Sequence, residues 1–312
     1  MLNVVRYRAT FFLLSLTLIG GGLTALFLGP GIRWSVEFTS GAAATVVFVE
    51  PAPQSLVENA LDIDGFQDFV IQTIGEREFF IRLPVSESSE TQQELVQRAL
   101  TDRVGAIESL GFDLVSPAVA QETVRNGLIA VLIAIVGILA YIVFAFRGVP
   151  HSFRYGVAAV VALAHDIAMA FAVAGIAVWI FSSLRLELST MFLIGVLTLL
   201  GYSINDTIVV FDRIRENLLR DSNRELPSTV NISILEVMGR SLNTSITTGL
   251  VLMSLWLLGP TSIRDFLFIM LVGVVSGTYS SIFTASQLLV SWQVRSWGSL
   301  PFSRRGREET SG

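Results

Sequence analysis

Long uncharged apolar runs alternate along the chain with short polar breaks and one long mixed stretch. A helix needs about 20 mostly apolar residues to cross roughly 30 Å of hydrocarbon. Six runs approach or exceed that length: Phe11–Leu28 behind Arg6 and Arg8, Gly127–Phe146, Tyr155–Leu184, Leu188–Phe211, Ser241–Leu258 and Phe266–Val294. The first is long for the core of a signal peptide and lacks a small-x-small cleavage site before the next polar stretch, so it reads as an uncleaved span. Gly20, Gly21 and Gly22 within it suit close packing or a kink. Gly273 and Gly277 form a small-xxx-small pair in the last run, a pattern that lets helix backbones approach closely.

The mixed stretch, residues 33–122, changes period several times. Ala44–Val49 is β-branched and aromatic and predicts a strand. Pro53 opens a helical pattern through Leu61, at a first-turn position where proline is favoured. Phe69–Thr73 and Phe79–Leu83 predict two strands joined around Gly75. Leu95, Ala99, Leu100, Val104, Ile107 and Leu110 carry a helical period through Glu87–Leu110, and Leu114–Val119 predicts a last strand. The order β-α-β-β-α-β is the ferredoxin-like, split-βαβ arrangement. The predicted fold class is therefore a six-helix transmembrane domain interrupted by a small α+β domain. Its segments are 1–30 (N-terminus and first span), 31–124 (inserted domain), 125–294 (five further spans) and 295–312 (tail).

Composition agrees with this division. The 312-residue chain is 52% hydrophobic and 15% charged, against about a quarter charged in ordinary globular proteins. All 21 basic residues are Arg. With no Cys there is no disulfide framework or thiolate site, and two His leave little for a zinc site. Residues 31–125 hold 15 acidic residues and 6 Arg, a net of −9; the remainder holds 11 and 15, a net of +4. The Arg residues fall mainly on one side: Arg6, Arg8, Arg147, Arg154, Arg213, Arg215, Arg220, Arg224, Arg295, Arg304, Arg305 and Arg307, against Arg185 and Arg264 in the short opposite loops. The positive-inside rule then puts both termini in the cytoplasm and the acidic insert outside. On that topology the Asn231-Ile-Ser and Asn243-Thr-Ser triplets are chance matches to a glycosylation site. The segment Asp212–Met238, mixing charged and apolar residues, predicts an amphipathic cytoplasmic connection and not a nucleic-acid patch.

Ionisable groups at membrane depth are costly and take partners. Asp206 lies six residues before Asp212, roughly 9 Å inside the polar border at 1.5 Å per residue. Arg240 opens the next span, running the opposite way, so the two meet at matching depth. Thr198, Tyr202 and Asp206 share one helix face; Arg240, Thr244, Thr247 and Thr248 form a second stripe. A carboxylate opposite a guanidinium across polar stripes suits a proton relay; the other reading is a structural ion pair or a helix-end contact with water. His165 and Asp166 lie mid-span about 100° apart on their helix. There Asp166 needs a partner or a proton, and His165 can bond a neighbouring helix. An intramembrane aspartyl protease using Asp166 and Asp206 is a further reading, since paired carboxylates can activate water.

These residues carry a family resemblance. Leu199-Leu-Gly-Tyr-Ser-Ile-Asn-Asp-Thr-Ile-Val-Val-Phe-Asp-Arg-Ile-Arg-Glu-Asn217 resembles the signature of the SecF family of bacterial protein-export membrane subunits. Arg240-Ser-Leu-Asn-Thr-Ser-Ile-Thr-Thr248 resembles its next-span motif, and Val161-Ala-Leu-Ala-His-Asp166 its third-span motif. Ser35-Val-Glu-Phe-Thr-Ser-Gly41 departs from the family's Asp-Phe-x-Gly-Gly element, with Glu37 for the Asp and Ser40 for the first Gly; a missing Gly restricts positive φ. The resemblance implies a resistance-nodulation-division type fold in the bacterial cytoplasmic membrane, and no enzymatic activity. It implies SecD as a partner in a pseudo-symmetric assembly, with SecYEG, YajC, YidC, the translocating polypeptide and membrane lipid as further contacts. It implies no cofactor, the proton gradient serving as energy source for late steps of export. Asp206 and Arg240 are then the proton-relay residues, with Asn205, Thr244, His165 and Asp166 as neighbours. The alternative within the same broad fold is half of a proton-coupled small-molecule exporter.

Overall fold

The computed structural model describes residues 3–29, 33–63, 69–73, 75–83, 89–181, 186–221, 223–260 and 263–294. The chain divides into two compact units, one made of 1–33 with 129–312, the other of 34–128. Among the described residues six helices are long and apolar enough to cross a membrane: Val5–Leu28, Pro117–Ala145, Ser152–Ile180, Thr190–Arg220, Leu226–Leu258 and Arg264–Trp292. In chain order α1 is Arg8–Leu28, β1 Gly41–Phe48, α2 Gln54–Ile63, β2 Val70–Thr73, β3 Glu78–Leu83, α3 Ser89–Arg103 and β4 Ile107–Val115. Then come α4 Pro117–Ala145, α5 Ser152–Ile180, α6 Thr190–Arg220, α7 Leu226–Leu258 and α8 Arg264–Ser280. A π-helical segment Ser281–Ala285 joins α8 to α9, Ser286–Val294.

In the smaller unit the four strands form an antiparallel sheet in the order β2-β3-β1-β4. Alternation places Ala42, Ala44, Val46 and Phe48 of β1 on one buried face, facing Phe79, Ile81 and Leu83 of β3 across the register Val46↔Phe79 and Ala44↔Ile81. Val57, Ala60 and Leu61 of α2, with Val96 and Leu100 of α3, close that core. Each large side chain so buried contributes about 1.5–3 kcal/mol relative to exposure. Ser40 takes a positive φ of 64° with an extended ψ of 157°, ahead of Gly41 at φ 140°. The turn that the Gly-to-Ser departure called into question therefore keeps a positive φ, in a region almost reserved for glycine, at a cost of about 1–3 kcal/mol.

Two predicted elements of this unit need correction. The helix expected through Leu110 ends at Arg103, because Gly105 turns the chain at φ 150°. Ile107–Leu110 belong to β4, where Leu110 pairs with Val46 and Phe112 with Ala44. Spacing misled here because Ile107 and Leu110 satisfy a helical period while the backbone pairing that claims them is non-local. The last strand stops at Val115, not Val119. Pro117 starts α4, and the Ser116 hydroxyl accepts the Val119 N–H at 3.4 Å. Glu87, the predicted helix start, lies outside the described residues.

In the helical unit small residues decide which helices meet. A Cβ on Gly22 of α1 would sit 2.5 Å from the Ala172 Cβ of α5, and one on Gly175 would sit 2.7 Å from the Gly22 carbonyl oxygen. A Cβ on Gly273 would lie 2.5 Å from Leu199 Cγ, and one on Gly277 2.9 Å from Ser203 Cβ. The expected small-xxx-small face of α8 thus packs on α6. Gly20 and Gly21 have no neighbour within 4 Å of an added Cβ, so of the three only Gly22 makes a close approach. Phe146 stacks on Tyr155 at 5.5 Å and both meet Phe211 edge-on, tying α4, α5 and α6 together.

The stretch Asp212–Met238 is not a separate amphipathic connection. α6 continues to Arg220 and α7 already begins at Leu226, so the two helices run on past their apolar portions. Arg213 joins Glu236 at 2.7 Å, and Asn217 donates to Glu236 at 2.8 Å and to Ser233 at 2.9 Å. Asn231 accepts the Val4 N–H at 2.8 Å, fixing the start of the first span beside α7. Leu184 and Arg185, and residues 295–312 with Arg295, Arg304, Arg305 and Arg307, lie outside the described residues.

Candidate functional site

Among the described residues two carboxylates lie buried inside the helical unit, and their surroundings differ sharply. Asp166 of α5 is fully buried. Its Oδ2 accepts the hydroxyls of Ser203 on α6 at 2.5 Å and Ser280 on α8 at 2.7 Å. Its Oδ1 accepts Ser276 of α8 at 2.6 Å and faces His165 Nδ1 at 3.1 Å. Each oxygen therefore has two partners, which fills the capacity of the carboxylate. Small residues make this cage possible: the glycines that bring α8 against α6 also bring Ser276 and Ser280 within reach of α5.

His165 carries the network outward. Its Nε2 lies 3.0 Å from the Ser15 hydroxyl of α1, which lies 3.1 Å from the Tyr279 hydroxyl, which in turn donates to the Phe11 carbonyl at 2.9 Å. The ring also stacks on Tyr279, with centroids 5.9 Å apart. Counting hydrogens decides what this chain of contacts can hold. If Tyr279 donates to Phe11 and Ser15 to Tyr279, then Nε2 must donate to Ser15 while Nδ1 donates to Asp166. With Asp166 ionised, all four contacts are complete only when both ring nitrogens donate, so the His165–Asp166 pair has room for one proton more than a neutral imidazole beside a carboxylate carries. Although adjacent on the helix, His165 and Asp166 do face each other.

Asp206 of α6 is 6% exposed. Among the described residues it accepts the Thr278 hydroxyl of α8 at 3.2 Å, with the Ser241 hydroxyl of α7 also bearing on it, and Thr278 further contacts the Val274 carbonyl at 2.9 Å and Ser245 of α7. Arg240 acts on Asp206 through its charge, but among the described residues no ion pair joins them. Nor does any hydrogen bond or ion pair among the described residues join Asp206 to Asp166, so the two do not form the shared-proton dyad an aspartyl protease needs. Thr207, next to Asp206, exchanges a hydrogen bond with Ser281 at 3.0 Å.

The predicted stripes turn out to be split. Arg240, Asn243, Thr244 and Thr247 lie exposed on α7, with Thr244 bonding back to the Arg240 carbonyl at 3.0 Å. The inward face of α7 is instead Ser241 and Ser245, one and five residues on from Arg240. Ser241 is buried, with its hydroxyl close enough to Asp206 to act on the carboxylate. On α6 Asn205 and Thr198 are exposed, while Tyr202 is half-buried and its hydroxyl has no partner among the described residues. Sequence reasoning missed Ser203, Ser276, Thr278 and Ser280. The signal for the last three was present in Ser276-Gly-Thr-Tyr-Ser-Ser281, five hydroxyl-bearing residues in six positions.

Comparison with known proteins bears on what such a site serves. Residues 95–295 match the family described as Protein export membrane protein SecD/SecF, C-terminal. The protein translocase subunit SecF of Thermobaculum terrenum is 39% identical over 303 residues, covering 94% of this chain and 94% of that protein. The protein translocase subunit SecDF of Thermus thermophilus is 37% identical over 289 residues, covering 89% of this chain and 37% of that longer protein. The crystal structure of SecDF from Thermus thermophilus, a translocon-associated membrane protein, superposes with a TM-score of 0.75 at 33% identity, covering 92% of this chain and 38% of the other.

Proposed function

The chain belongs to the SecD/SecF family of protein-export membrane proteins, and from that premise we propose that it couples the proton gradient to late steps of Sec-dependent polypeptide export. It is a multi-pass membrane protein and a subunit of the Sec export machinery, a transport component and not a classical enzyme. The gradient stands in place of a cofactor. Asp206 takes and releases the proton, and Arg240 supplies the charge that the ionised carboxylate answers to.

The observation that carries this reading is the contrast between the two buried carboxylates. Asp166 has its acceptor sites filled by four groups. Protonating it would break an established network. Asp206, nearly as buried, is held by the Thr278 hydroxyl with only Ser241 beside it, so its remaining lone pairs are open to a proton without such loss. One charge crossing 100 mV yields roughly 2.3 kcal/mol, enough to shift a helix whose hold on its neighbours depends on that carboxylate.

The exposed polar face of α7 supports SecD as the partner. Arg240, Asn243, Thr244 and Thr247 would face hydrocarbon on an isolated chain, at a cost of several kcal/mol for the guanidinium alone. A second six-helix chain laid against α7 would cover them, as a fused SecDF relative carries both halves in one polypeptide. The pairing implies the resistance-nodulation-division arrangement in the cytoplasmic membrane, with SecYEG as the channel served and YajC and YidC as accessory contacts. The domain of residues 31–124 lies outside and both termini inside. The β2-β3-β1-β4 order, with α2 and α3 following the first and third strands in sequence, supports a ferredoxin-like reading of that domain.

The test is export in sealed vesicles containing this chain, SecD and SecYEG. Asp206→Asn should abolish stimulation by an imposed proton gradient while copurification with SecD persists; full stimulation of the variant would remove Asp206 from the path.

A further inference from the structure

Beyond Ser280 the last span carries a second polar face that the two carboxylates do not use. Thr284, Gln287 and Ser291 are 5%, 0% and 6% exposed, yet Thr284 Oγ1, Gln287 Oε1 and Ser291 Oγ have no hydrogen-bond partner among the described residues. Their spacing from Ser280 is four, seven and eleven residues, which keeps them near one helix face. The amide of Gln287 is oriented by chemistry: Nε2 donates to the Ile282 carbonyl at 3.3 Å, a contact a carbonyl oxygen could not make, so Oε1 must point away from it. The π segment Ser281–Ala285 widens the helix at the inner end of this face, a feature that recurs at functional sites.

Three buried oxygens in a row without partners would cost about 1–3 kcal/mol each if dry, a burden that proteins ordinarily relieve with bound water. One end of the row is near Trp292, over which the Arg154 guanidinium at the start of α5 lies at 5.8 Å. The other end is Ser280, which holds Asp166. The distance between Ser280 and Ser291 is roughly 16 Å at helical rise, the length of a short file of water molecules. On α1, beside Phe11, whose ring meets Phe283 at 4.3 Å, Thr10 Oγ1 is a fourth buried oxygen without a partner among the described residues.

We propose that Thr284, Gln287 and Ser291 line a water-filled file leading from the Arg154 end of the helical unit to the Ser280–Asp166–His165 network. The file gives that network, with its room for an extra proton, a wet route separate from Asp206. Its use as a proton route rests on the proton-coupled reading above; its water content does not.

Silver ion distinguishes the two, because it travels in water, is small enough for a narrow file, and binds thiolates. The chain has no native Cys, so each introduced Cys reports alone. In SecD-paired full-length protein in membranes, Thr284→Cys, Gln287→Cys and Ser291→Cys should become blocked by silver, read as lost maleimide labelling after denaturation. Ala285→Cys and Leu289→Cys, at buried apolar positions of the same helix, should be blocked about tenfold more slowly or less, since a thiol among apolar groups rarely ionises. Equal rates at all five positions overturn the file. Should the Cys variants fail to fold, Thr284→Val decides: a dry, unpartnered hydroxyl predicts an equal or higher unfolding temperature and overturns the proposal, whereas a hydrated one predicts a lower temperature. Proton flux in Gln287→Leu then tests the use. A fall of about tenfold, as for a path losing 1.4 kcal/mol, supports it, and unchanged flux beside an inactive Asp206→Asn overturns the route while leaving the Asp206 reading standing.

Discussion

Among the buried polar groups, the number of donors each carboxylate has already collected separates scaffold from switch. Asp166 binds α5 to α6 through Ser203 and to α8 through Ser276 and Ser280. Asp166→Ala would strand three hydroxyls and the His165 ring at once. The expected loss is about 3–5 kcal/mol, the range for breaking one partner of a buried charged network, read as a lower unfolding temperature in detergent; an unchanged temperature contradicts the scaffold role. Thr278 plays a different part, holding Asp206 while contacting Ser245 of α7. Thr278→Val should lower proton flux and shift its pH profile with little change in unfolding temperature, and Thr278→Ser should restore both flux and profile. A profile unmoved by the Val variant, or no rescue by Ser, argues against a positioning role. None of these hydroxyls stood out by charge, so the sequence pattern drew attention to Asp206, Asp166 and Arg240 and passed over the groups that differentiate them.

At the scale of elements, the close contact of α6 with α8 sets the geometry of both carboxylates. Gly277→Val would bring a Cβ to 2.9 Å from Ser203 Cβ. It should force the helices apart at about 1–3 kcal/mol, the usual cost of overpacking, and loosen Ser276 and Ser280 from Asp166. Gly137→Ala on α4 is the control, since nothing lies within 4 Å of its added Cβ; its unfolding temperature should hold or rise, alanine being favoured over glycine in a helix by about 1 kcal/mol. Equal losses in both variants contradict the packing argument. The spans themselves were legible because twenty apolar residues in a row have few other uses. Their ends were not: α6 and α7 run on through charged residues that pair with one another, as Arg213 does with Glu236. The inward face of α7 was misplaced by one residue, from Arg240 to Ser241, because a stripe shows that residues share a face and not what that face meets. In the smaller unit Ile107–Leu110 went astray for a related reason, since their partners in β1 lie some sixty residues away in the chain.

For the molecule as a whole, the division of charge and the six spans make a topology that labelling can read directly. Gln97→Cys on α3 and Asn223→Cys between α6 and α7, both exposed positions, should react oppositely in intact cells: the first with an impermeant maleimide at once, the second only after permeabilisation. The reverse order contradicts an external acidic domain. The exposed Arg240 face on α7 further predicts that the chain alone is less stable in membranes than when paired with SecD, seen as faster degradation without its partner; equal lifetimes would leave that face unexplained. Everything in the functional account depends on Asp206 carrying a proton. The direct measurement is proton flux across vesicles holding the SecD-paired protein, comparing the native chain with Asp206→Asn and Asp166→Asn at matched protein content. Asp206→Asn should stop gradient-driven flux while the pair remains assembled. Native flux through Asp206→Asn would contradict that role.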